Sequence, residues 1–83
     1  MEIIIEFNKS AFRHGISEED IKHAIKTPIY DAPLIGFMNK YVVIGFDIAG
    51  NPLEIMYNSI DDDTINVFHA MKARRTFLAK LDL

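Results

Sequence analysis

The first quarter of the chain alternates short apolar runs with residues that cap or end helices. The isoleucine-rich segment from Glu2 to Phe7 predicts a first strand. Asn8 is a typical helix-capping residue, so a brief helix is predicted from Asn8 through His14, with Gly15 ending it. The chain is therefore expected to begin with a strand and a short helix.

A second helix is predicted to open at Ser17. Asp20 lies three positions further on, as in a shortened capping box, and Ile21 and Ala24 begin an apolar stripe at helical spacing. Thr27-Pro28 ends the helix, because a residue before proline avoids the helical conformation.

The remaining chain predicts an antiparallel meander. Residues 28–40 form a connection with a short strand near Leu34 to Met38. Strands follow at 41–48, 53–57 and 64–71, separated by turns at 49–52 and 58–63, and a short helix is expected at 72–81. The strand at 41–48 is apolar on both faces and is expected inside the sheet. This order predicts one α+β domain over residues 1–83.

Basic residues are concentrated at the C-terminal end of the chain. The net charge is −3, but residues 69–81 hold Lys72, Arg74, Arg75 and Lys80 and no acid. There is no cysteine and no apolar stretch of membrane-spanning length, and the first residues carry acids where a signal peptide carries basic residues. A cytoplasmic protein with no membrane association is expected.

No metal site or cofactor is predicted. His14, His23 and Asp20 do not share a ligand-like spacing, and His14 is interpreted as a helix-end residue and His23 as part of a solvated face. The run Asp61-Asp62-Asp63 lacks the ligand pattern of a calcium loop and is interpreted as an exposed turn.

Two titratable side chains on the predicted strands are candidates for proton transfer. Glu54 is expected on the face opposite Leu53 and Ile55, either as a solvent-side carboxylate or as a general base. Strict alternation places His69 on one face with Ile65 and Val67, either as a core residue or as an acid or base beside the basic segment.

The basic segment has two interpretations of similar weight. Lys72, Arg74 and Arg75 are either a solubilising surface or a phosphate-binding cluster, in which arginine stabilises charge in phosphoryl transfer. Tyr57, with Tyr41 and Phe77, offers a ring on which an unpaired base of single-stranded RNA can stack.

Several segments together resemble one protein family. Arg13-His-Gly-Ile-Ser-Glu-Glu-Asp-Ile21 resembles the helix-opening motif of BrnT-like toxins, which belong to the RelE-like ribonuclease toxin superfamily. Segments 41–45, 53–57 and 67–75 are similar to its later strands and closing segment, in the same order. Met71 stands where that closing segment has an arginine, and His69 where it has a serine.

The resemblance implies a RelE-like fold and the toxin role in a bacterial toxin–antitoxin pair. The implied activity is metal-independent endoribonuclease cleavage of RNA, with a cognate antitoxin protein as partner. The implied catalytic residues are His69, Arg74, Arg75 and Glu54, and Lys72, Tyr57 and Lys80 would bind substrate. The alternative is a non-catalytic interaction module of the same fold that binds an acidic partner protein.

Overall fold

The computed structural model describes residues 2–79 and has an α+β architecture. Its strands form one five-stranded sheet. Its strands are β1 (Ile4–Phe7), β2 (Tyr30–Pro33), β3 (Lys40–Phe46), β4 (Pro52–Ser59) and β5 (Thr64–Lys72). A 3-10 helix (Lys9–Phe12) and α1 (Glu18–Lys26) lie between β1 and β2, and α2 (Arg75–Leu78) follows β5.

The strand order across the sheet is β1-β5-β4-β3-β2. The pairs β2–β3, β3–β4 and β4–β5 are antiparallel, while β1 runs parallel to β5. The strands β2 to β5 therefore form an antiparallel meander, and β1 pairs in parallel with β5 at one edge of the sheet. β3 lies inside the sheet, as its two apolar faces predicted.

Helix α1 forms where the sequence predicted it. The Ser17 hydroxyl accepts a hydrogen bond from the Asp20 backbone N–H at 3.1 Å, which satisfies one free donor of the first turn. Ile21 and Ala24 are fully buried and pack against Val43 and Ile55 of the sheet. We call the face that α1 covers the helix face, and the opposite one the second face.

The short strand predicted near Leu34 to Met38 was wrong. The strand that pairs with β3 is β2, four residues earlier, and Leu34 N–H closes the connection by bonding to the Lys40 carbonyl at 2.8 Å. Gly36 and Asn39 have positive φ angles of 89° and 59°, which suit a turn rather than a strand. Ile35 and Met38 are 95% and 88% exposed, so this segment gains nothing from burial.

The helix after β5 begins later than predicted. β5 extends to Lys72 and α2 covers Arg75–Leu78, while the last two residues of the predicted 72–81 helix lie outside the described residues. The Arg74 backbone N–H donates to the Glu54 side chain, so the chain folds back over the second face directly after β5.

Candidate functional site

A buried carboxylate lies at the centre of the second face. Glu54 has no exposed surface, and its two oxygens accept four hydrogen bonds. Oε2 accepts from His69 Nε2 at 2.9 Å and from Arg74 Nη2 at 2.8 Å. Oε1 accepts from the Arg74 backbone N–H at 2.9 Å and from Arg74 Nε at 3.0 Å. Glu54, His69 and Arg74 therefore form one connected polar cluster.

These contacts decide the charge of Glu54. Burial raises the pKa of the carboxyl, but the side-chain and backbone hydrogen bonds from Arg74, the bond from His69 and the Arg74 charge together outweigh it. The pKa of Glu54 consequently lies below its ordinary value, and the group is ionised at neutral pH. The sequence placed Glu54 on the correct face, but the expectation of a solvent-side carboxylate was wrong.

A β-bulge brings His69 to this carboxylate. Tyr57 of β4 pairs with Val67, whereas Met56 pairs with His69, so Phe68 is an additional residue in β5. Val67 and Ala70 pack in the core on the helix face, while His69 contacts Glu54 on the second face. The strict alternation that grouped His69 with Ile65 and Val67 was therefore wrong, because a bulge shifts the phase by one residue.

The residues just after β1 support the bulge. The Ser10 hydroxyl donates to the Phe68 carbonyl at 2.6 Å, and the Asn8 backbone N–H donates to the Val67 carbonyl at 2.7 Å. Asn8 also accepts a hydrogen bond from the Ser10 backbone N–H, as expected of a capping residue. The 3-10 helix and the Asn8 that caps it thus lie along β5 beyond the end of β1, where Asn8 donates to the Val67 carbonyl and Ser10 to the Phe68 carbonyl.

The same connection places a second imidazole at the site. The rings of His14 and His69 meet edge to face with their centroids 5.6 Å apart. Sequence reasoning treated His14 as a helix-end residue and missed this contact. The sequence feature that could have drawn attention to His14 is its position within the segment that resembles the toxin family. Its proximity to His69, however, depends on the path that the chain takes beside β5.

The hydrogen bond to Glu54 selects the tautomer of His69. An ionised carboxylate can only accept, so Nε2 of His69 must carry the hydrogen. In the neutral ring Nδ1 then bears the free lone pair and can accept a proton from a substrate. Both carboxylate oxygens of Glu54 already accept hydrogen bonds from His69 and Arg74. Glu54 is therefore better placed to orient the imidazole than to act as the general base itself.

The basic residues of the C-terminal end differ in their environment. The Arg74 side chain is 54% exposed and holds Glu54 through Nε and Nη2, which leaves Nη1 as its remaining guanidinium nitrogen. Arg75 is exposed at the start of α2. Lys72 is exposed but pairs with Leu53, in the helix-face phase, so β5 does not direct it toward Glu54.

Of the other predicted substrate-binding residues, Tyr57 is not part of this cluster. Tyr57 lies on the helix face, where it stacks on Tyr41 at 5.3 Å and donates to Asp31 Oδ1 at 3.2 Å. Burial and the Asp31 charge raise the pKa of the Tyr57 hydroxyl, so it is a neutral donor. Lys80 lies outside the described residues.

His23 has a structural contact in place of the solvated position predicted for it. Its Nδ1 lies 2.7 Å from the Phe46 carbonyl, and since a carbonyl only accepts, Nδ1 carries the hydrogen. His23 therefore ties α1 to β3. Within residues 2–79, no group of three or more histidine, aspartate or glutamate side chains is arranged to hold a metal ion.

Comparisons with protein-family models, with curated proteins and with solved structures found no match to this chain. Among the described residues, no helix has the length and apolar character needed to cross a membrane.

Proposed function

We propose that this protein is the toxin of a bacterial toxin–antitoxin pair, with a RelE-like fold, and that it cleaves RNA in the cytoplasm without a metal ion. The observation that carries this proposal is the contact between two imidazole rings, one of which a buried carboxylate holds in a single tautomer. Cleavage by transesterification needs one group that takes a proton and one that gives a proton, and two histidines supply both.

The proposed reaction begins at His69. Its Nδ1 takes the proton from a ribose 2′-hydroxyl, and the resulting oxygen attacks the adjacent phosphorus. The bond from phosphorus to the 5′-oxygen breaks, and the imidazolium of His14 protonates that leaving oxygen. The products are a 2′,3′-cyclic phosphate and a 5′-hydroxyl, so protons and bonds balance without a further reactant.

The surrounding residues have supporting roles in this proposal. Arg75 and the remaining nitrogen of Arg74 stabilise the negative charge that develops on the phosphate oxygens. Glu54 positions His69 and keeps its tautomer, as the third member of a catalytic triad does. Lys72 contributes to the positive potential that attracts RNA, although β5 does not direct it toward Glu54.

Cleavage of a short single-stranded RNA in excess EDTA tests the reaction. The purified protein is expected to leave 2′,3′-cyclic phosphate ends. His69→Ala and His14→Ala are each expected to lower the rate about a hundredfold or more, since each removes one proton-transfer group. An RNA with 2′-deoxy sugars is expected to remain intact because it has no attacking hydroxyl.

His23→Gln is the matched control, because it removes a histidine bonded to Phe46 rather than to Glu54. Its cleavage rate is expected to equal that of the unmodified protein. Loss of cleavage in EDTA, or full activity of His69→Ala, would contradict the mechanism. In cells, induced expression is expected to arrest growth, with relief by the His69 variant and by co-expression of an antitoxin encoded beside the gene.

The second candidate is a non-catalytic module that binds an acidic partner protein. It is favoured by the observation that both oxygens of Glu54 already accept hydrogen bonds from within the protein. A fully hydrogen-bonded buried network also rigidifies a fold without any catalytic purpose. Met71 pairs directly with Glu54 across β4 and β5, at the position where the toxin family has an arginine. Intact RNA and normal growth on expression would favour this alternative.

A further inference from the structure

Two successive carbonyls of β5 point to the same side at the bulge. Along a regular strand, successive carbonyls alternate between the two neighbouring strands. Here the Val67 carbonyl accepts a hydrogen bond from the Asn8 backbone N–H at 2.7 Å, and the Phe68 carbonyl accepts one from the Ser10 hydroxyl at 2.6 Å. Both carbonyls therefore face the connection that follows β1, on the side of β5 away from β4.

The Ser10 hydroxyl has one hydrogen to donate, and two oxygens lie within its reach. The Phe68 carbonyl oxygen is 2.6 Å away and Asn8 Oδ1 is 3.0 Å away, and Asn8 Oδ1 already accepts from the Ser10 backbone N–H. Hydrogen bonds between a hydroxyl and an oxygen are commonly about 2.7–2.8 Å long, so the shorter contact takes the hydrogen. Ser10 thereby supplies the partner that the additional residue of a bulge lacks on the neighbouring strand.

This hydrogen bond acts on the orientation of His69 rather than on the register of the sheet. Val67 and Ala70 are both buried on the helix face, so an additional residue lies between them even without the Ser10 hydroxyl. The Phe68 carbonyl and the His69 N–H, however, belong to one planar peptide group. A hydrogen bond that holds the Phe68 carbonyl consequently holds the plane from which the His69 side chain projects.

Ser10 also lies in the short helix that leads to the other imidazole. Its carbonyl accepts a hydrogen bond from the Arg13 backbone N–H at 3.3 Å, directly before His14, and Ala11 between them is fully buried. The hydroxyl of Ser10 thus bonds to the peptide group before His69, and its carbonyl bonds to the residue before His14. The two rings that these contacts support have their centroids 5.6 Å apart.

We propose that Ser10 is a positioning residue, whose bond to the Phe68 carbonyl sets the placement of the His69 ring relative to the His14 ring. This inference rests on the proposed function, in which both imidazoles act on one phosphate group. Each reacting nitrogen must then lie within hydrogen-bond reach of its oxygen. A misplacement of about 1 Å can lower a rate roughly a hundredfold, so a residue that touches no reacting atom can still affect the reaction.

Cleavage of the short RNA by the Ser10→Ala variant tests this role. We expect kcat to fall about tenfold or more, and KM to stay within about twofold because Ser10 does not contact the substrate. Ser10→Thr returns a hydroxyl and is expected to recover most of kcat. Ser17→Ala is the matched control, since it also removes a serine hydroxyl that bonds to the first turn of a helix, and it is expected to leave kcat unchanged.

NMR of the histidine rings measures the positioning without RNA. In the parent protein, ¹⁵N shifts are expected to show His69 with its hydrogen on Nε2, and a nuclear Overhauser effect is expected between the His14 and His69 rings. In Ser10→Ala this effect is expected to weaken and the His69 shifts to move, whereas Ser17→Ala is expected to leave both unchanged. If circular dichroism shows that Ser10→Ala does not fold, Ser10→Cys takes its place, because a thiol is a weaker donor of similar size.

Three outcomes would overturn the proposal. The first is a loss of kcat in Ser10→Ala no larger than in Ser17→Ala, and the second is a rise in KM with kcat unchanged. The third is an unchanged contact between the two rings in a folded Ser10 variant, even if its Tm is lower, because the hydroxyl would then only stabilise the fold. If the parent protein cuts no RNA, the proposed nuclease fails, and the NMR comparison alone decides the role of Ser10.

Discussion

Glu54 is an ionised carboxylate with no exposed surface, and Arg74 meets it with two guanidinium nitrogens and a backbone N–H. Removing the half-exposed guanidinium leaves the buried Glu54 charge with only the Arg74 backbone N–H and His69 as donors, and a buried charge that is less well compensated destabilises the fold. The neighbouring Arg75 is exposed and has no such partner among the described residues. These adjacent arginines therefore differ in their effect on stability.

Arg74→Ala is expected to lower the Tm by about 5 °C at about pH 7, as thermal unfolding followed by circular dichroism will show. The pKa of Glu54 is lowered in the folded protein, so its contribution is fully present above its ordinary value of 4.5 and is lost as the pH falls through the folded pKa. The difference between variant and parent is consequently expected to shrink on acidification below that value.

Arg75→Ala is the matched control for this measurement. We expect its Tm to stay close to that of the parent from neutral to acidic pH, because surface substitutions without partners change stability little. A difference for Arg74→Ala that stays constant with pH would contradict the role given to the Glu54 charge.

At the scale of elements, α1 lies on the sheet because β3 has no side chain at Gly45. A Cβ built there would come within 1.9 Å of the Ala24 carbonyl oxygen. Real contacts do not approach this distance, and the obstacle is helix backbone that cannot rotate away. The hydrogen bond between His23 and the Phe46 carbonyl holds the same junction.

Gly45→Ala is expected to destabilise the fold by about 4 kcal/mol or more, as core overpacking against backbone does in its severe cases. Urea unfolding measures this loss. The control is Gly50→Ala, which meets nothing within 4 Å but has a φ of 91°; strain there is expected to cost about 1 kcal/mol. Equal effects of the two substitutions would show that α1 does not pack as closely as described.

At the scale of the whole molecule, opposite charges lie at opposite ends of β5. The acidic turn Asp61-Asp62-Asp63 precedes its first residue, Thr64, and the arginines follow its last residue, Lys72. Nine extended residues separate these ends by roughly 30 Å, which is several Debye lengths at physiological salt. The net charge of −3 therefore does not prevent the basic end from attracting an anion.

Binding of an uncleavable 2′-O-methyl RNA is expected to weaken as salt increases, since bound phosphates release counterions. Each phosphate contact contributes about −0.7 to the slope of log K against log salt for a single strand. Arg75→Gln is expected to reduce the slope by about that amount, measured by anisotropy titration. Lys72→Gln is expected to change it less, because β5 does not direct this side chain toward Glu54; a larger change for Lys72→Gln would contradict this assignment.

The amino-acid sequence by itself determined the elements that depend on neighbouring residues. Ser17 caps α1, Ile21 and Ala24 form its buried stripe, and the acidic residues before Thr64 form an exposed turn, all as predicted. It also determined that Glu54 and Leu53 point to opposite faces, because β4 has no additional residue between them. Local capping and regular alternation are sufficient for these features.

Tertiary structure alone decided the site. Phe68 becomes an additional residue only because β5 pairs with β4 on one side and bonds to Asn8 and Ser10 on the other. That bulge turns His69 to the second face, where it bonds to Glu54 and its ring meets that of His14. Such contacts join residues far apart in the chain, so no local pattern of the sequence contains them.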